Sequence, residues 1–226
     1  MKTIGIVSVG RSDFSIYKPI LEAMQSTDSL SPRIYASGAH FAKEFGTTLD
    51  EIEQAGLSLF AEVPMLPDSD TPADITEAIA KGMDGFGQLF RIDPPDILLL
   101  VGDRIETFAT AIASVPFGIP LAHIHGGEVT WGAWDDSFRH ALTKLSHTHF
   151  VANEIHKERL IRMGEEPWRI TVSGAPALDN VRNIEFLSAD ELSAKFGFPM
   201  TPAPLLVTYH PETRGTSDGF ACLEAM

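Results

Sequence analysis

An α/β protein built on a doubly wound parallel sheet is the fold class that this 226-residue sequence predicts. Three observations carry the prediction. Short apolar runs without a polar face alternate with stretches of helical spacing, the pattern of strands buried on both faces by crossover helices. Glycine stands close behind several runs, at Gly10, Gly102, Gly126 and Gly174. Ionisable residues cluster at the same places, where parallel strands deliver their carboxyl ends to the ligand-binding edge of an open sheet.

Ile4 to Val9 is β-branched and apolar and gives way to Gly10-Arg11-Ser12-Asp13, a buried strand turning into a helix N-terminus. Phe14 to Met24 then sets Ile16, Ile20, Leu21 and Met24 at helical spacing. Ser31 to Ser37 reads as a second strand despite Pro32. His40 to Phe45 and Thr48 to Gln54 read as short helices, the latter with Thr48 and Glu51 at capping-box spacing. A third strand, Leu57 to Val63, leads into Pro64 to Pro72, a proline-rich acidic loop long enough for a mobile flap. Ile75 to Arg91 is a helix with Ile75, Ile79, Met83, Phe86 and Leu89 on one face.

Strands at Ile97 to Val101 and Leu121 to Ile124 follow, each succeeded by a helix. Phe150 and Val151 begin another strand, Glu154 to Met163 a helix, and Ile170 to Val172 a strand ending in Ser173-Gly174-Ala175-Pro176. Asp179 to Pro204 reads as a linker holding one polar helix, Asp190 to Phe196, capped by Ser188. Leu205 to Tyr209 is expected to be a fresh buried strand, and the chain stops at Met226 inside what should be the next helix. The expected division is a domain over 1–180, a linker over 181–204, and the start of a truncated second domain over 205–226.

A net charge of −14 without a basic cluster argues against nucleic acid and anionic membranes as partners. It leaves room for an anionic small molecule, because a few arginines and helix N-termini can hold a phosphate inside an acidic protein. One cysteine, Cys222, rules out an internal disulfide or a cysteine-based zinc site and reads as a small buried apolar residue. The start of the chain is too short for a signal segment, and no apolar run approaches the ~20 residues of a membrane span, so a cytoplasmic location is expected.

The loop Gly10 to Ser15 has the position of an anion-contacting turn, with Arg11 and the helix N–H groups facing a phosphate; equally, Ser12 or Asp13 is an N-cap. Asp103 and Arg104 supply a potential base and a phosphate ligand, or pair with each other. Glu106 reads as a solvated first-turn acid. His123 and His125 fall on one side of a strand by the period of two, a spacing repeated at His147 and His149, but no third ligand set is evident and no metal is expected. Asp135, Asp136, Arg139 and His140 open a helix; Asp135 and Arg139, four apart, suit a surface pair, while Trp131 and Trp134 beside them tilt the reading toward a ligand cleft.

Taken in order, these motifs carry a family resemblance. Gly10-Arg11-Ser12-Asp13-Phe14, Ser37-Gly38-Ala39-His40-Phe41, Glu44-Phe45-Gly46, Gly102-Asp103-Arg104, His123 to Thr130, Asp135 to His147, Ser173 to Pro176 and Thr208 to Thr213 follow the order and nearly the spacing of the hydrolysing UDP-N-acetylglucosamine 2-epimerases. The chain resembles these enzymes over almost its whole length.

The resemblance implies a Rossmann-like domain forming the N-terminal half of a glycosyltransferase-B-like pair, a UDP-sugar substrate, no NAD or other cofactor, and a homodimer. It further implies abstraction of the sugar C2 proton, anti elimination of UDP, and hydration of the glucal to N-acetylmannosamine on the way to sialic-type acids. Position by position, Asp103 and Asp135 match catalytic carboxylates, and His210 matches a histidine at the diphosphate. Arg11, Ser15 and Arg104 match UDP contacts; Asp13, His40, Asp136 and Arg139 complete the expected substrate-binding set. His125 departs from the glutamate of many members, which leaves a proton-transfer role to His125 itself or to Glu128. Rival readings are a relative acting on a UDP-2,4-diacetamido-6-deoxy sugar, a non-hydrolysing epimerase, a UDP-sugar glycosyltransferase and a non-catalytic binding module. The 226-residue chain alone is expected to bind UDP weakly.

Overall fold

The computed structural model describes residues 1–42 and 48–208. Among these, seven strands form one sheet: β1 (Lys2–Ser8), β2 (Leu30–Ser37), β3 (Leu59–Val63), β4 (Ile97–Val101), β5 (Leu121–Ile124), β6 (Thr148–Val151) and β7 (Ile170–Val172). Their order is β3-β2-β1-β4-β5-β6-β7, and every pair is parallel. The chain therefore winds outward from β1 in one direction, returns, and winds outward from β4 in the other. The crevice between β1 and β4 is the topological switch point, where such sheets open at their carboxyl ends.

Eight α-helices accompany the strands among the described residues: α1 (Arg11–Gln25), α2 (Asp50–Gln54), α3 (Pro72–Ile92), α4 (Ile105–Ser114), α5 (Asp135–Leu145), α6 (Glu154–Arg162), α7 (Ala177–Asn183) and α8 (Ala189–Phe196). Alternate strand residues face two cores. On one side Ile4, Ile6, Leu99 and Ala122 pack with Phe14, Tyr17 and Leu21 of α1 and Ile52 of α2. On the other, Val7, Leu98, Leu100 and Leu121 meet Phe86 and Phe90 of α3, Ala109 of α4 and Leu142 of α5. Burial on both faces explains why β1, β4 and β5 lack polar alternation.

Several expectations need correction. β2 begins at Leu30 and runs through Pro32, which stands opposite Ile4 in register. The helix expected from His40 to Phe45 is a single 3-10 turn, Gly38–Phe41, and residues 43–47 lie outside the described set. The capping box at Thr48 and Glu51 does not form, because the Thr48 hydroxyl bonds the His40 ring instead. The loop after β3 is tied down rather than flap-like: Met65 is only 1% exposed, and Thr71 caps α3 by accepting from the Asp74 N–H. On α3 the buried stripe is Ile75, Ala78, Gly82, Phe86 and Phe90, while Met83 is exposed; Gly82 makes room for Met65.

The end of α7 runs into the segment expected to be a linker, and α8 is its one complete helix, beginning one residue before the expected Asp190. α7 packs beside α1, with Asn180 Nδ2 donating to the Ser15 carbonyl at 2.6 Å, and Ser188 caps α8 in a capping box with Glu191. Residues 205–208 carry no regular structure, and Leu205 and Leu206 are each 94% exposed, so the described part of the expected strand is unformed. A strand needs a neighbour for its N–H and C=O groups, and among the described residues β7 is paired only to β6. Tyr209 and Cys222 lie outside the described residues, and no described helix is long and apolar enough to cross a membrane.

Candidate active site

The carboxyl edges of β4 and β5 build most of the site. β4 ends when the Gly102 N–H donates to the Ile124 carbonyl at 3.1 Å and Gly102 turns through φ +73°. Only glycine adopts that conformation without penalty, and it turns Asp103 and Arg104 out of the sheet in different directions. Asp103 pairs with Arg139 of α5. Arg104 reaches toward α1, with Nε 3.2 Å from Asp13 and Nη2 donating to Ser12 at 3.3 Å. The two neighbours thus tie β4 to opposite walls of the crevice instead of pairing with each other. Burial pushes the Asp13 carboxyl above its ordinary range, against the opposing pull of Arg104.

β5 ends in a second tight turn. His125 has φ +64°, the one non-glycine residue among those described in the left-handed region, where a side chain is disfavoured and strain commonly marks function. His125 thus lies one residue past the end of β5, and its ring and that of His123 bond different partners. Its Nδ1 lies 2.5 Å from Glu128 Oε1. Burial alone would raise Glu128, but the His125 bond and the charges of His125, Arg139 and His156 outweigh it and hold the carboxyl below its ordinary value.

Gly127, between them, has φ +79° and sits against α6; a Cβ there would lie 2.5 Å from Leu160 Cδ1 and 2.6 Å from the His156 carbonyl oxygen. Gly127→Ala should therefore destabilise the protein by about 1–3 kcal/mol through overpacking against backbone. That corresponds to about 2–4 °C of Tm per kcal/mol for a domain of this size. Thermal unfolding checks it, and an unchanged Tm would show that the turn tolerates a side chain.

Arg139 is the hub of the site. It is buried, and its guanidinium contacts Asp103, Glu128 Oε2 at 3.2 Å, Thr130 Oγ1 at 3.1 Å and the His125 carbonyl at 3.4 Å. The surface pair with Asp135 expected from helical spacing gives way to these contacts. Asp135, the first residue of α5, faces the cavity, and burial together with the nearby Asp103 charge raises its carboxyl above the usual range. Asp136 instead secures the preceding loop, accepting the Thr130 N–H at 3.2 Å and lying 3.5 Å from His140 Nε2.

These groups surround a cavity of about 500 Å³ at the switch point, lined by Asp103, Arg104, His125, Glu128, Asp135 and Arg139 among others. Asp13, expected as a substrate contact, lines it too. A second cavity, of about 380 Å³, adjoins it at Ser12 and Arg104 and runs along Gly10 and Arg11 at the N-terminus of α1. Arg11 Nε pairs with Glu51 at 2.6 Å on the far rim, and among the described residues no side chain caps α1, which leaves its first N–H groups available to an anion.

Other expected residues are placed differently. His40 is buried, with Nε2 2.8 Å from Ser8 Oγ and Nδ1 2.7 Å from Thr48 Oγ1; both ring nitrogens are engaged by protein. Ser15 donates to the Ser12 carbonyl at 2.6 Å and lines neither cavity. Glu106 is buried rather than solvated, and desolvation raises its carboxyl. His210 lies outside the described residues. Thr130 carries no signal in the sequence as a loop threonine; its role comes from the Arg139 side chain that reaches it.

Comparisons with known proteins agree on the family. The model of the UDP-N-acetylglucosamine 2-epimerase family matches residues 22–224. GDP/UDP-N,N'-diacetylbacillosamine 2-epimerase (hydrolyzing) of Campylobacter jejuni is 35% identical over 94% of this chain and 55% of that protein. The Legionella pneumophila UDP-N,N'-diacetylbacillosamine 2-epimerase (hydrolyzing) is 35% identical over 93% of this chain and 56% of its own length. The chain thus spans about half the length of these curated relatives. Its fold is shared with the Methanocaldococcus jannaschii UDP-GlcNAc 2-epimerase in complex with UDP-GlcNAc and UDP, at TM-score 0.72 and 21% identity over 86% of this chain and 53% of that one. Fold, motif order and family match coincide along the described residues: the chain belongs to the UDP-N-acetylglucosamine 2-epimerase family.

Proposed function

We propose that this chain carries the sugar-side chemistry of a hydrolysing 2-epimerase that converts UDP-N-acetylglucosamine and water to N-acetylmannosamine and UDP. The observation that carries the reading is the set of carboxylates, Asp103, Asp135 and the His125–Glu128 pair, gathered round one cavity that adjoins an uncapped helix N-terminus. Anti elimination needs a proton acceptor on one side of the sugar and a stabilised leaving group on the other. The C1–O bond breaks with its electron pair going to the diphosphate, while the C2–H pair becomes the C1=C2 bond and its proton goes to the base. Arg104, Arg11 and the start of α1 suit the departing charge.

His125 suits the base: Glu128 on Nδ1 favours the tautomer that leaves Nε2 as an acceptor. Asp135, raised by burial and by Asp103, keeps a proton to higher pH than an ordinary carboxyl and suits the acid in the hydration step. Asp103 suits stabilisation of positive charge developing at C1. Residues 205–226 belong, on this reading, to the start of a second, nucleotide-gripping domain, and the protein works as a homodimer in the cytoplasm.

A second substrate, a UDP-2,4-diacetamido-6-deoxy sugar, is favoured by one observation: two relatives 35% identical to this chain bear names for that substrate type. Offering both UDP-sugars to the protein as its gene encodes it, and following UDP release and product configuration by NMR, decides between them. Free N-acetylmannosamine from UDP-N-acetylglucosamine is the expected result. Product retaining UDP would overturn hydrolysis, and no UDP release from either sugar would overturn the reading.

A further inference from the structure

β5 is buried along its length, yet its third residue is a histidine with 0% exposure. An imidazole in that setting is costly unless its nitrogens find partners. His123 Nε2 lies 2.8 Å from the Gly102 carbonyl, and Nδ1 lies 3.5 Å from Thr143 Oγ1 on α5. The left-handed turn at Gly102 takes its carbonyl off the β4 ladder just before Asp103. β5 therefore holds Gly102 at two points: its N–H by the Ile124 carbonyl and its C=O by the His123 ring. The opposite edge of the ring abuts the other loop, since a Cβ on Gly126 would lie 3.1 Å from His123 Nδ1. A single buried side chain touches the turn that carries Asp103 and the turn that carries His125.

We propose that His123 is a positioning residue for the reaction, pinning the Gly102 carbonyl and so fixing Asp103 relative to the His125–Glu128 pair. The proposal rests on the hydrolysing-epimerase reading. Donation to a carbonyl requires Nε2–H and leaves Nδ1 without a proton, 3.5 Å from the Thr143 hydroxyl, whose own proton goes to the Arg139 carbonyl at 3.1 Å. Burial pushes the ring down to about 4, with the Gly102 bond opposing and the neighbouring His149, Arg139 and His125 adding to the fall. The ring therefore stays neutral where the enzyme works, and the clamp does not open with pH. A misplacement near 1 Å at a reacting group costs about 10²-fold in rate, which is the scale of effect a lost clamp should produce.

The test uses His123→Leu and His123→Gln in the protein as its gene encodes it. Leucine removes the donor, whereas the amide nitrogen of glutamine reaches the place of Nε2. His123→Leu should lower kcat about 10²-fold with little change in KM and unshifted limbs in the pH profile, and His123→Gln should recover most of the loss. Equal kcat in wild type and His123→Leu would overturn the proposal, as would a loss that glutamine fails to restore. Nitrogen-15 spectra of the wild-type ring supply a readout independent of turnover. They should show the Nε2–H tautomer without titration between about pH 5 and pH 8, and the Asp103 carboxyl carbon signal should move in His123→Leu and return in His123→Gln. A titrating ring, an Nδ1–H tautomer or an unmoved Asp103 signal overturns the clamp. If wild type releases no UDP, the functional reading fails while the spectra still decide the clamp; if His123→Leu does not fold, His123→Gln and the tautomer decide it.

Discussion

Asp103→Asn lowers turnover by about 10³-fold or more while the protein stays folded; this is the largest catalytic effect expected of any single change at the site. Asparagine keeps the shape of the carboxylate and its acceptor oxygen, so the left-handed turn at Gly102 and the contact to Arg139 can survive in neutral form. What it loses is the negative charge facing the cavity, and an oriented charge aimed at a developing cation is worth about 10²–10³ in rate or more. The loss should appear in kcat and kcat/KM alike, with KM nearly unchanged, because the interaction is made in the transition state and not in the bound substrate. Steady-state kinetics with circular dichroism as a fold control checks it. Near-normal kcat would remove Asp103 from the chemistry and shift the carboxylate role to Asp135.

The fold was largely legible because burial on both faces leaves little choice of residue. The runs Ile97 to Val101 and Leu121 to Ile124 coincide with β4 and β5 residue for residue, and Ile170 to Val172 coincides with β7 although only Ile170 of that edge strand is buried. The weaker readings fall where a tertiary contact overrides local propensity. Thr48 has the right spacing to cap α2 but is taken by His40, and Leu205 to Thr208 is apolar enough for a strand but meets no neighbour among the described residues. At the site, the position of each cluster at a strand end could be read from the chain. Its pairing could not, because pairing depends on φ angles at Gly102 and His125 that the sequence states only as glycine in one case and conceals in the other. Helical spacing alone thus offers Arg139 a surface pair with Asp135 beside the ligand-cleft reading, and makes Glu106 a solvated acid, whereas both side chains are buried. His123 reads as half of a metal pair by spacing alone; in the fold each of the two rings has its own protein partner.

Arg139→Met should cost about 3–5 kcal/mol of stability, the usual penalty for removing one partner from a buried ionic network. Methionine replaces the apolar stem, so most of the loss comes from Asp103 and Glu128, which are left without their cation. Arg139→Lys should fall between the two, because one ammonium cannot reach both carboxylates, Thr130 and the His125 carbonyl at once. The pH dependence gives the sharper check. Glu128 is held below its ordinary value by His125, Arg139 and His156 against the effect of burial. Its contribution to stability is therefore complete above the unfolded pKa and is lost as pH falls through the folded one. Taking Arg139 away weakens that lowering, so the deficit of Arg139→Met should be greatest at neutral pH and shrink as pH falls through the ordinary carboxylate range and the lowered folded value of Glu128. Urea unfolding of both proteins at several pH values measures it. A deficit that stays constant with pH would mean that Arg139 acts by packing alone. One that shrinks would mean that a single guanidinium holds the β4 and β5 turns together by charge, so that the stability of the domain and the geometry of its carboxylates rest on the same contacts.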